Sequence, residues 1–93
     1  MFTKKDINRI MSTERVGVRI GRRGVSKGLV AEIKRQLDQR GYVKIKILKN
    51  IRGHISEEDI EKLAKEVGGR IASRRGYVYL IISLKRRKSS KQQ

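Results

Sequence analysis

Apolar and polar positions repeat along this chain with a period that switches between helical and extended, and the switches lay out its elements. Residues 3–12 put Ile7, Ile10 and Met11 on one face, the stripe of a short amphipathic helix. Thr3, with Asp6 three positions on, is a capping-box pattern at its start, and Phe2 with Ile7 forms a hydrophobic staple. Arg15 to Ile20 alternates as a strand, with Val16, Val18 and Ile20 on the buried face and Arg19 opposite. From Ser26 to Arg40, Leu29, Val30, Ile33 and Leu37 share a helical face. Ser26 is placed to cap that helix, and Gly41 stands where a left-handed C-terminal glycine belongs. Gly28 in the first turn costs up to about 1 kcal/mol relative to alanine, a cost that close approach of another backbone would explain.

Tyr42 to Leu48 alternates again, with Val43, Ile45 and Ile47 on one side and Tyr42, Lys44 and Lys46 on the other. After a loop over 49–55, Ser56 and Asp59 repeat the capping box, Ile55 and Ile60 repeat the staple, and Gly68-Gly69 end a third helix. Arg70 to Arg74 reads as a short strand, Arg75-Gly76 as a hairpin turn, and Tyr77 to Leu84 as a strong last strand. The order α-β-α-β-α-β-β predicts an α/β domain with a mixed four-stranded sheet, parallel across the helices and antiparallel in the final hairpin. Residues 1–84 form that single domain, and 85–93 a basic, flexible tail.

Composition sharpens the functional side. The chain has 93 residues, 25 Lys/Arg and nine Asp/Glu, for a net charge of +16. So small a body repels itself at that charge unless a polyanion neutralises it, which points to nucleic acid first and an anionic membrane second. The charge is also polarised. Five of the acids (Glu57, Glu58, Asp59, Glu61, Glu66) fall within 56–67, so that segment carries −3 and the rest of the chain +19. The third helix is therefore expected to face away from a polyanion.

The densest candidate chemistry is Gly21-Arg22-Arg23-Gly24, between a strand and a helix N-terminus. Glycines there let backbone N–H groups approach a phosphate, the helix end adds partial positive charge, and two guanidinium groups match phosphate geometry. Arg19 and Lys27 flank the turn, and Lys44, Lys46, Arg74 and Arg75 extend the basic set along the strands. With one Phe, three Tyr and no Trp, stacking platforms are few, which favours backbone and shape recognition over reading of splayed bases.

Enzyme readings do poorly. There is one histidine, His54, and no cysteine, so a His cluster or thiolate site for metal, a disulfide and a Cys nucleophile are all excluded, and no cofactor or metal is expected. No nucleotide-binding glycine fingerprint is present. No run approaches the ~20 apolar residues of a membrane span, and Met-Phe-Thr-Lys-Lys-Asp lacks a signal-peptide core, so a cytoplasmic monomer is expected.

Val16-Gly-Val-Arg-Ile-Gly-Arg-Arg-Gly-Val-Ser-Lys-Gly-Leu-Val-Ala-Glu-Ile, followed by Tyr42-Val-Lys-Ile-Lys-Ile-Leu, resembles the CRM (chloroplast RNA splicing and ribosome maturation) domain, whose single-domain members are YhbY-like proteins. The resemblance implies an α/β fold similar to the C-terminal domain of translation initiation factor three. It also implies RNA binding through the Gly-x-x-Gly loop, as in KH domains, and association with large-subunit ribosomal RNA or its precursor particle. An RNA splicing or RNA chaperone cofactor is the alternative, with a chromatin-like duplex DNA binder as the rival from another class. A peripheral membrane module ranks last, for want of a strong exposed amphipathic helix.

Overall fold

The computed structural model describes residues 2–84. The tail expected over 85–93 lies outside the described residues. Helix α1 spans Lys4–Thr13, strand β1 Val18–Ile20, helix α2 Lys27–Arg40, strand β2 Tyr42–Ile47, helix α3 Glu57–Glu66, strand β3 Gly69–Arg75 and strand β4 Val78–Ser83, with a 3₁₀ turn at Lys49–Ile51. The α-β-α-β-α-β-β order and the mixed four-stranded sheet are those expected from the sequence.

Local signals formed as read. Thr3 and Asp6 bond reciprocally at the start of α1, and Ser56 and Asp59 do so at the start of α3. The Ser26 hydroxyl accepts from the Leu29 N–H, and Gly41 closes α2 with φ 84°. Strand β1 is shorter than expected. Its pairing starts at Val18, Val16 is only half-buried, and the Gln36 side chain donates across the backbone to the Gly17 carbonyl at 3.0 Å. Gly28 meets no foreign backbone: the only atom near a Cβ there is the Ser26 Oγ at 3.9 Å, so close approach does not explain it.

The sheet order is β1-β2-β4-β3, with β1 parallel to β2 and β4 antiparallel to both neighbours. The burial pattern explains this insertion. Tyr79, Leu80, Ile81 and Ile82 are consecutive and all buried, which suits only a strand covered on both faces. Strands carrying Arg19, Arg70, Arg74 and Arg75 take the edges, where charge also discourages edge-to-edge pairing. Helices α2 and α3 cover one face, packing Ile33, Leu37, Ile60 and Leu63 on Val18, Ile20, Val43, Ile45, Ile47, Tyr79 and Ile81. Helix α1 covers part of the other, seating Ile10 and Met11 on Leu80 and Ile82.

Candidate nucleic-acid interface

The Gly-Arg-Arg-Gly segment forms a tight turn at the C-terminal end of β1. The Gly24 N–H donates to the Gly21 carbonyl at 2.7 Å, and Gly24 takes φ 65°, which a side chain would strain. Arg22 and Arg23 project from the tip, exposed, and neither joins an ion pair or a side-chain hydrogen bond among the described residues. Lys27, the first residue of α2, is exposed beside them. The first turn of α2 holds no acid, whereas α1 carries Asp6 and α3 carries Glu57, Glu58 and Asp59 at the corresponding place. Its positive end is therefore not offset by its own carboxylates.

A second basic feature lies on the α1 side of the sheet. Arg19 pairs in register with Lys46, Lys46 with Val78, and Val78 with Arg75. One transverse row thus places three cations on a single face, across about 14 Å at the usual strand spacing. Arg19 and Arg75 are exposed and Lys46 is half-buried; an Arg75 Nη1 donates to the Ser12 Oγ at 3.3 Å.

Two of the candidate residues are committed elsewhere. Lys44 is buried, and its Nζ donates to the carbonyls of Ile10 (3.3 Å), Met11 (2.8 Å) and Glu14 (2.8 Å). Helix α1 has no basic residue in its own last turn, so this lysine from β2 satisfies its terminal carbonyls and its negative end. It is a structural cap, not a surface cation as strand alternation suggested. Arg74 lies on the opposite face from Arg75. It pairs with Glu57, donates to the Gly76 carbonyl at 2.9 Å and sits 5.3 Å over the Tyr79 ring.

The tyrosines divide in the same way. Tyr79 is buried, and burial raises its phenol above the ordinary value. Tyr42 is half-buried, edge-on to Phe2 at 5.5 Å. Tyr77 is exposed, with the Arg52 guanidinium 4.0 Å over its ring. Arg52 had no sequence signal, because the stack forms only when the β2–α3 connection meets the β3–β4 hairpin.

Helix α3 does not turn wholly away from the arginine loop. A cleft of about 660 Å3 runs between them. The loop supplies Arg22, Arg23, Gly24 and Val25 to one wall, and the β2–α3 connection supplies Asn50, Ile51, His54 and Ile55. Helix α3 brings Asp59, Lys62, Leu63 and Glu66 to the other wall. The expectation that the whole acidic helix faces away is corrected here: its apolar stripe must pack on the sheet beside α2, and that brings one polar edge up to the loop. The Ser56 backbone N–H donates to the Asp59 carboxylate and holds it below the ordinary range.

The profile of the CRS1 / YhbY (CRM) domain matches residues 3–82, nearly the whole chain. The chain belongs to the CRM family. CRM domains bind RNA and serve in ribosome maturation or RNA processing; they are not an enzyme family. A search of curated proteins returns no match. In this CRM domain, no cluster of His, Cys, Asp or Glu among the described residues is arranged to hold a metal, and no described helix is long and apolar enough to cross a membrane.

Proposed function

We propose that this CRM domain binds the phosphate backbone of structured RNA through Gly21-Arg22-Arg23-Gly24, and that its RNA is that of the large ribosomal subunit during assembly. The observation that carries the reading is the pair Arg22 and Arg23, exposed and without ion-pair partners at a glycine turn that opens onto the acid-free first turn of α2. Lys27 borders that site. The row Arg19, Lys46 and Arg75 gives a second surface for backbone on the other side of the sheet. Backbone contacts of this kind fix position and supply affinity without reading sequence. On this reading the protein acts as a monomer in the cytoplasm.

The test is the double change Arg22→Ala/Arg23→Ala, measured by fluorescence anisotropy on large-subunit ribosomal RNA with folding checked by circular dichroism. Affinity is expected to fall by on the order of tenfold or more at 0.1 M salt, with the fold intact. Unchanged affinity would remove the loop from the interface. Duplex DNA that competes as well as ribosomal RNA at matched salt would move the reading to a general polyanion binder.

A further inference from the structure

The cleft beside the arginine loop has walls of opposite sign. Arg22 and Arg23 stand on one side, and α3 presents Asp59 and Glu66, with Lys62 between them, on the other. A phosphate backbone threaded along it would meet two carboxylates against the single Lys62 ammonium, which disfavours the sugar–phosphate chain as the cleft's occupant. The surface between the walls is partly apolar: Val25 is 43% exposed and Ile55 half-buried, over the buried Ile51 and Leu63, with Asn50 and His54 beside them. Val25 is one of three exposed large apolar residues among the described residues. Asp59 Oδ2 accepts from the Ser56 N–H, which leaves Oδ1 as a further acceptor. Glu66 joins no ion pair among the described residues. At about 660 Å3 the cleft is within the range of small-ligand sites.

We propose that this cleft takes one unpaired, amino-bearing nucleobase, whose own phosphate rests on Arg22 and Arg23. The inference builds on the backbone-binding reading and adds base selection to it. A nucleotide complements the cleft: its phosphate is anionic, its ring faces suit Val25 and Ile55, and its edge carries hydrogen-bond donors. Ionised carboxylates accept and cannot donate. Adenine, cytosine and guanine offer an exocyclic amino group to such an acceptor, as cytosine N4 does to Glu and Asp in groove readout. Uracil presents carbonyl oxygens beside its single N–H and is disfavoured there. Sparse aromatic content does not oppose this, because the selecting groups are carboxylates and the packing surface is aliphatic.

The test uses the full chain and end-labelled octamers of A, C and U, titrated at low salt and followed by anisotropy. Cytosine and uracil stack comparably and differ in the amino group, so the C/U affinity ratio is the readout. The ratio is expected to favour C by at least about fivefold. Glu66→Gln is expected to bring it toward one, because an amide can also donate to uracil; any general gain in affinity from removing a negative charge cancels in the ratio. Val25→Ser is expected to weaken all three octamers without altering their salt dependence. Equal C and U affinities, a ratio unmoved by Glu66→Gln, or no octamer binding while ribosomal RNA is still bound would each overturn the base site. Failure of the underlying reading looks different: Arg22→Ala/Arg23→Ala would leave ribosomal RNA affinity unchanged.

Discussion

Lys44 shows how one side chain can be removed from an interface by its acceptors. A buried ammonium is costly unless its protons are bonded, and here three carbonyls at the end of α1 take them. Lys44→Met keeps the aliphatic stem but leaves those carbonyls unpaired, so it is expected to lower stability by about 1–3 kcal/mol. RNA affinity, measured well below the melting temperature, is expected to stay unchanged, and a marked loss would return Lys44 to the interface. Two glycines make a second residue-scale contrast. A Cβ on Gly69 would lie 2.6 Å from the Ile82 carbonyl oxygen and 2.7 Å from the Ile81 Cγ2, whereas one on Gly28 would meet almost nothing. Gly69→Ala is therefore expected to destabilise by about 1–3 kcal/mol. Gly28→Ala is expected to stabilise by up to about 1 kcal/mol and to weaken RNA binding, since it adds a methyl group beside the arginine turn. Calorimetry and anisotropy on the same two variants check both statements.

At the scale of elements, the features that could be read from sequence are those made by neighbours in the chain. Both capping boxes, the Ser26 cap and the Gly41 terminus need only residues a few positions apart, and all four formed. The insertion of β4 between β2 and β3 was also present in the sequence, in the unbroken apolar run at 78–82, but a hairpin reading does not use it. What could not be read was which side α1 takes, and with it the fate of Lys44, because that depends on packing between distant segments. The helices also set the acid response. Arg35 and Gln36 hydrogen-bond the Glu32 carboxyl and lower its pKa from 4.5 to about 2, and the caps lower Asp6 and Asp59. A carboxylate with a depressed folded-state pKa contributes stability above its unfolded value and loses it as pH falls through the folded one. The melting temperature is thus expected to hold from pH 7 to about 4.5 and to fall between about 4.5 and 2. Glu32→Gln should shrink that fall, and an equal fall in the variant would remove Glu32 from the account.

Over the whole molecule, the excess of cations was legible as a total, and the arginine turn was legible as a motif. Their division into two surfaces was not, because Arg19, Lys46 and Arg75 come from three strands and share a row only through the register of the sheet. The cleft was hidden for the same reason, since the arginine loop and the α3 wall are 34 to 44 positions apart in the chain. Two surfaces make a quantitative difference to salt dependence. Each neutralised phosphate contributes about 0.9 to the slope of log affinity against log salt. Contacts by Arg22, Arg23 and Lys27 alone would give a slope of about 3, and engagement of the sheet row as well would give about 5 or more. The larger value corresponds to a loss on the order of 10³-fold between 50 and 200 mM salt. Residues 85–93 add charge to every variant alike, so the differences between variants isolate each surface. Arg22→Ala/Arg23→Ala is expected to lower the slope by about 2, the triple change at Arg19, Lys46 and Arg75 by about 3, and Lys44→Met not at all. If the triple change leaves the slope where it was, RNA touches only the loop side of the sheet and the row is a solvated edge. A slope near zero for the unaltered protein would mean that phosphate contacts do not drive binding.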